Sequence, residues 1–109
     1  KVQPLADGLA EYDAWATGLR REETRDRVIA PVVGWDEKKQ KVKVSPLARW
    51  TDDEVDQYIA ENGVLVNPLQ YDGYPSIGCW PCTQRVAPGE DPRSGRWAGT
   101  AKTECGINQ

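Results

Sequence analysis

Asp13-Ala14-Trp15-Ala16-Thr17-Gly18 is a short apolar run that ends in glycine and opens directly into Leu19-Arg20-Arg21-Glu22-Glu23-Thr24-Arg25-Asp26-Arg27. Such runs, bounded by turn formers, read as buried parallel strands whose carboxyl ends lead into loops. In open α/β sheets, ligands bind outside those carboxyl ends. Arg20, Arg21, Arg25 and Arg27 therefore stand where an anion would be held, and the guanidinium fork matches phosphate and sulfate. For Arg21 and Arg25, interleaved with Glu22, Glu23 and Asp26, a solvated charged face is the better reading. The fold class that follows is α/β.

The flanking segments agree. Val2, Leu5, Ala6 and Leu9 fall at helical spacing, with Pro4 tolerated in the first turn, and predict a short helix docked on the sheet. Val32-Val33-Gly34-Trp35 and Lys41-Val42-Lys43-Val44 flank a polar turn, Asp36 to Gln40. The second run alternates charged and apolar residues, as a strand with one wet face does, and Pro46 stops it. Thr51 with Glu54 three residues later forms a capping box, and Gly63 is a natural C′ residue. Val55, Tyr58 and Ile59 are the expected buried stripe of that helix, which is read as a packing element without chemistry.

Beyond Val64 the sequence turns loop-rich, with Asn67-Pro68, Tyr74-Pro75 and Pro88-Gly89-Glu90-Asp91-Pro92. The chain has 109 residues with 10 glycines, 8 prolines and 39% hydrophobic residues, so its core is thin. Five tryptophans and four tyrosines, with no phenylalanine, carry the apolar mass. The net charge of −3 argues against a nucleic-acid footprint. Residues 1–50 hold ten Lys/Arg against eight Asp/Glu, and residues 51–109 hold four against nine, so local clusters such as Arg93 with Arg96 matter more than the total. No apolar run resembles a signal peptide or the roughly 20 residues of a membrane span. The opening Lys1-Val2-Gln3-Pro4 and the lack of any methionine are expected of part of a larger domain.

The three cysteines lie in the last third, as Cys79-Trp80-Pro81-Cys82 and a separate Cys105. An odd number leaves at least one thiol outside any disulfide. The close pair has three readings. A thioredoxin-type dithiol suits the internal proline, but the following Thr83-Gln84-Arg85-Val86-Ala87-Pro88 breaks too soon for the long helix that motif opens. A zinc site needs two more ligands, and there is no histidine in the chain. An iron–sulfur cluster usually takes four thiolates, so two would come from elsewhere. Cys105, between Glu104 and Gly106, reads either as an incidental surface thiol or as a nucleophile on a flexible segment, with Lys102, Arg93 and Arg96 as charge partners for a thiolate.

Four strings occur in order: Thr17-Gly18-Leu19-Arg20-Arg21; Gly73-Tyr74-Pro75-Ser76-Ile77-Gly78-Cys79 with Cys82; Asp91-Pro92-Arg93-Ser94-Gly95-Arg96-Trp97; and Lys102-Thr103-Glu104-Cys105-Gly106. Together they resemble the carboxyl-terminal half of assimilatory adenylyl-sulfate reductases, the cluster-bearing branch of the sulfonucleotide reductase family. The resemblance implies an adenine nucleotide alpha hydrolase-like, Rossmann-like sheet with a loop-rich cluster-binding tail, all 109 residues forming the carboxyl-terminal part of one domain. Residues 91–109 would be a mobile tail carrying the nucleophile. It also implies a 4Fe-4S cluster held by Cys79, Cys82 and an adjacent cysteine pair upstream of Lys1. Cys105 matches the nucleophile that attacks adenylyl sulfate, expels AMP and becomes S-sulfonated, before a thioredoxin or glutaredoxin thiol releases sulfite. Lys1, Arg27, Arg93 and Arg96 match substrate-binding residues; a two-residue deletion would move the loop arginine from Arg27 to Arg25. The cluster would keep its oxidation state, fixing its loop and tuning local charge. A cytoplasmic enzyme of sulfate assimilation is implied, capable of homo-oligomer formation and without nucleic-acid or membrane partners.

Two departures stand out. Asn108 occupies the place of a usual histidine in Cys-Gly-x-His, and the amino-terminal half with its phosphate-binding loop is absent, so the chain alone is expected to be inactive. The alternatives are a reductase of the 3′-phosphorylated sulfonucleotide and a non-catalytic, metal-stabilised binding module. Cys79 and Cys82 argue for adenylyl sulfate, because the phosphosulfate branch lacks cluster cysteines.

Overall fold

The computed structural model describes residues 1–108, in two compact units, Lys1–Val64 and the residues from Leu65 onward. The first unit carries helix α1 (Val2–Leu9), strands β1 (Ala14–Ala16), β2 (Val33–Asp36) and β3 (Lys41–Val44), and helix α2 (Asp52–Asn62). The sheet is mixed, in the order β1-β3-β2. β1 runs parallel to β3 with Ala14 opposite Val42 and Ala16 opposite Val44, and β2 folds back on β3 as an antiparallel hairpin. In the turn between them, Asp36 accepts the Lys39 N–H at 3.1 Å and pairs with its Nζ at 3.0 Å, while Gln40 takes a left-handed φ of 52°.

Strand β1 is parallel, as its sequence predicts, but it is not buried. Ala14 and Ala16 are exposed and Trp15 is half-buried. The reason is its place at the sheet edge, with β3 its one strand neighbour among the described residues. The ring of Trp15 is covered by cations instead of apolar side chains, Lys39 Nζ at 4.8 Å and Lys43 Nζ at 4.9 Å. Long lysine stems can lie over apolar surface while keeping their charge in water.

Helix α2 starts and stops where its sequence says. The Thr51 side chain accepts the Glu54 N–H at 3.1 Å, Glu54 accepts the Thr51 N–H at 2.8 Å, and Gly63 closes the helix at φ 58°. Its stripe is shallower than predicted: no residue of α2 is buried, and Tyr58 remains 49% exposed, edge-on to Trp50 at 5.5 Å. Among the described residues no apolar layer closes over that face.

The second unit has no ladder beyond a single antiparallel bridge, Thr83 with Arg96, among the described residues. Short 3-10 turns at Pro68–Tyr71 and Trp80–Cys82 shape it. The thin core is borne out: the buried hydrophobic residues are Leu19 and Ala48 in the first unit and Val86 and Trp97 in the second. Among the described residues, no helix is long and apolar enough to cross a membrane.

Candidate functional site

The Cys79–Cys82 turn is built from its backbone outward. Cys82 N–H closes on the Cys79 carbonyl at 2.9 Å. The Thr83 hydroxyl brackets the turn, accepting the Gly78 N–H and donating to the Cys79 carbonyl, both at 3.0 Å. Next the chain pairs with the arginine segment: Gln84 N–H donates to the Gly95 carbonyl at 2.8 Å, and Trp97 N–H donates to the Cys82 carbonyl at 3.2 Å. Glycine is required at position 95, because a Cβ there would run into the Gln84 carbonyl. Cys79-x-x-Cys82 and Arg93–Trp97 are thus one hydrogen-bonded assembly. Both thiols are free and half-buried.

Trp97 is the platform of this assembly. It is buried and holds a left-handed φ of 51°. Three cations surround its ring, Arg96 at 4.6 Å and Arg93 and Lys102 each at 5.7 Å. Cations over an indole are attracted by its quadrupole, and the ring sets their positions. Arg96 lies across Gly78, where a Cβ would collide with the guanidinium. Its Nη1 donates to Ser76 Oγ at 3.2 Å and to the Ile77 carbonyl at 3.3 Å, while its Nε is buried without a hydrogen-bond partner. A buried, unmet N–H on a cation suits an anionic acceptor.

Cys105 joins the cations through its neighbour. Arg93 Nη2 pairs with Glu104 Oε1 at 3.8 Å, and the same oxygen accepts the Cys105 N–H at 2.9 Å. Asn108 N–H donates to the Cys105 carbonyl at 2.9 Å, and the Asn108 Oδ1 is buried without a partner. Alongside lies a groove of about 750 Å³ lined by Leu69, Tyr74, Ile77, Trp80, Pro81 and Arg85 among others. Cys105, Arg93 and Arg96 do not line it. At its rim Arg85 forks onto Asp72 with two bonds of 3.1 Å, and hydrogen bonds with Tyr74 and Asp72 push its already high pKa further up.

The structure brings together Arg93, Arg96, Cys105 and the Cys79–Cys82 turn, all in the second unit. Lys1 and Arg27 belong to the first. Lys1 is exposed at the start of α1, where its carbonyl accepts the Leu5 N–H at 3.2 Å. Arg27 is buried and ion-paired with Glu23, which also accepts the Arg20 N–H at 3.1 Å. Arg25 is exposed, as a solvated face requires, but Arg21 departs from that reading. It is half-buried because its Nε finds a backbone acceptor, the Ala30 carbonyl, at 2.8 Å. The arginine loop is also tied to α2, through Arg20 to Asp52 at 2.5 Å and the Asp52 N–H to Glu22 at 2.7 Å.

For a metal centre the donor set is a pair. Among the described residues, no group of three or more His, Cys, Asp or Glu side chains is placed to hold a metal ion. Cys79 and Cys82, at the two ends of a braced turn beside a cation with an unmet N–H, fit as two thiolate ligands of a larger anionic centre.

Sequence reasoning missed three contributors. Thr83 and Trp97 carried no signal beyond lying in or beside a motif, since their roles depend on which groups the irregular chain folds against them. Glu104 carried only its adjacency to Cys105. Gly78 and Gly95 did carry a usable signal: glycine beside a functional segment marks a close backbone approach.

Comparison with known proteins identifies the family. The family described as Phosphoadenosine phosphosulfate reductase domain matches residues 1–85. An adenosine 5'-phosphosulfate reductase of Streptomyces coelicolor is 62% identical over 108 residues, covering 99% of this chain and 46% of that one. Those of Mycolicibacterium smegmatis and Mycobacterium tuberculosis are 56% and 60% identical over the same 99% of this chain, covering 46% and 42% of theirs. The crystal structure of phosphoadenylyl-sulfate (PAPS) reductase from Candida auris, in a phosphate complex, superposes with a TM-score of 0.64 at 34% identity, over 79% of this chain and 40% of that one. The chain therefore spans less than half the length of the relatives it matches. On the match of residues 1–85, the chain belongs to the phosphoadenosine phosphosulfate reductase domain family.

Proposed function

We propose that this chain forms part of an iron–sulfur adenylyl-sulfate reductase, a cytoplasmic enzyme of assimilatory sulfate reduction that supplies sulfite for cysteine biosynthesis. The observation that carries the reading is the junction of Cys79-x-x-Cys82, the arginines around Trp97 and Cys105 through hydrogen bonds, cation–ring contacts and the Arg93–Glu104 ion pair. Relatives 56% and 62% identical over 99% of the chain bear the name adenosine 5'-phosphosulfate reductase. Exposed apolar side chains such as Leu65, at 99%, and Trp80, at 94%, support a place within a larger body.

The Cys105 thiolate attacks the sulfur of adenylyl sulfate, the sulfur–oxygen bond to phosphate breaks, and AMP leaves with the electron pair. Cys105 then carries a sulfonate. A thiolate of thioredoxin or glutaredoxin attacks Cys105 Sγ, expelling sulfite and forming a mixed disulfide. The partner's second thiol resolves it, restoring Cys105 and leaving the partner as a disulfide, so its dithiol supplies both electrons. The first step brings an anion onto an anion. Arg93 and Arg96, with Lys102 over the same indole, offset that repulsion and hold the charge that builds on the leaving phosphate; removing one such donor typically costs about 100-fold to 1,000-fold in rate. Lys1 and Arg27 are further substrate contacts in this reading. Cys79 and Cys82 would hold half of a 4Fe-4S cluster, which when bound fixes their loop and sets local charge.

A second reading, reduction of phosphoadenylyl sulfate, is favoured by the likeness to the Candida auris enzyme at 34% identity. Turnover of the two sulfonucleotides by the full-length protein with thioredoxin separates them. In the same assay Cys105→Ser abolishes turnover and leaves the iron content intact. Retained turnover would overturn the proposal, and lost iron would favour a binding module in which Cys105 is a ligand.

A further inference from the structure

The Glu104 carboxylate is buried beside the proposed nucleophile, and the mechanism above gives it no task. One of its oxygens serves two partners: Oε1 faces Arg93 Nη2 at 3.8 Å and accepts the Cys105 N–H at 2.9 Å. Both side chains of the ion pair are mostly shielded, 18% exposed for Arg93 and 11% for Glu104, so their attraction is screened less than that of a surface pair. A carboxylate and a phosphate or sulfate oxyanion are the same kind of partner for a guanidinium. We infer that Glu104 is a latch, a positioning residue whose carboxylate competes with the substrate's anionic group for Arg93 and lets go of the Cys105 backbone when it is displaced.

The inference rests on the reductase reading, which makes Arg93 a substrate contact and Cys105 the nucleophile. It adds a coupling between them. An oxyanion that takes Arg93 draws the guanidinium from Glu104 Oε1 and leaves the carboxylate facing a like charge, which pushes it away from the Cys105 N–H, so arrival of the substrate and release of the nucleophile become one event. By linkage, whatever weakens the Glu104–Arg93 pair strengthens anion binding.

The test uses the full-length protein and AMP as the probe. Glu104→Gln keeps an oxygen that can accept the Cys105 N–H and removes the charge that competes for Arg93. The expected result is AMP binding about threefold to tenfold tighter than in the wild type, with KM for adenylyl sulfate falling alongside. The gain vanishes when Arg93→Ala is added. AMP affinity in Glu104→Gln that is unchanged or weaker overturns the latch, since a merely structural role would loosen the site. The wild type supplies a second measurement that needs no variant: alkylation of Cys105 by iodoacetamide speeds up as AMP is added, and a rate that stays flat or falls also overturns it. A wild type that binds neither AMP nor adenylyl sulfate sinks the reductase reading and the latch with it. A wild type that binds AMP beside an indifferent Glu104→Gln sinks the latch alone.

Discussion

The two units of this chain are held together by different means. The first, Lys1–Val64, rests on regular elements: a three-stranded sheet, a hairpin and a helix capped at both ends. The second, from Leu65 onward, has one bridge and a few 3-10 turns among its described residues, and side chains supply the rest. Thr83 braces a turn, Trp97 collects three cations, and Arg96 reaches back across Gly78. The lesson is that the first unit is specified locally, by propensity and caps, whereas the second is specified by individual contacts that also form the candidate site. Damage to the first should stay local, and damage to the second should reach the site.

The largest stability effect is expected from Gly95→Ala in the full-length protein. Its Cβ meets the Gln84 carbonyl, so the pairing of the Cys79–Cys82 turn with the arginine segment must open, at about 3 kcal/mol. Denaturant unfolding should show that loss, and hydrogen exchange should localise it to residues 78–97. Thr83→Val comes next, at about 2 kcal/mol, because the Gly78 N–H and the Cys79 carbonyl both lose their hydroxyl partner. Iron content should fall with it if the turn presents ligands. Thr51→Ala should cost about 1 kcal/mol, raise exchange in α2, and leave turnover at the wild-type level.

Asp36→Asn is the smallest change. Burial acts to raise the Asp36 carboxyl, and hydrogen bonds from the Lys39 side chain and backbone, with the charges of Lys39 and Lys43, outweigh it and bring the pKa below its ordinary value. A carboxyl lowered in the folded state adds stability that is present above its unfolded pKa and lost as pH falls through the folded one. The difference between wild type and Asp36→Asn should therefore be below about 1 kcal/mol near neutrality. It should close as the pH drops below about 4. A gap that widens in acid would show that the hairpin turn is held by something other than this carboxylate.

The same contrast explains what the sequence made legible. The capping box at Thr51 and Glu54, the turn at Asp36–Gln40 and the parallel strand before the arginine loop are encoded within a few residues of each other, and each appears where expected. Burial was less legible, because it depends on what packs against a face: β1 is an edge strand and Tyr58 stays half open. In the candidate site, residue types singled out Cys79 and Cys82 by their spacing, Arg93 and Arg96 by their place beside glycine, and Cys105 as the remaining thiol, while leaving more than one use open for each cysteine. Glu104 and Trp97 were silent, because their meaning lies in distances to Arg93, Arg96 and Lys102 that no local pattern records.

The most direct test of the account is to mix the full-length protein with adenylyl sulfate in the absence of any thiol reductant and map the adduct by mass spectrometry of its peptides. The account predicts one sulfonate group per chain, on Cys105, with Cys79 and Cys82 unmodified and AMP released in equal amount. A sulfonate on Cys79 or Cys82, or AMP release without any adduct on Cys105, would contradict it.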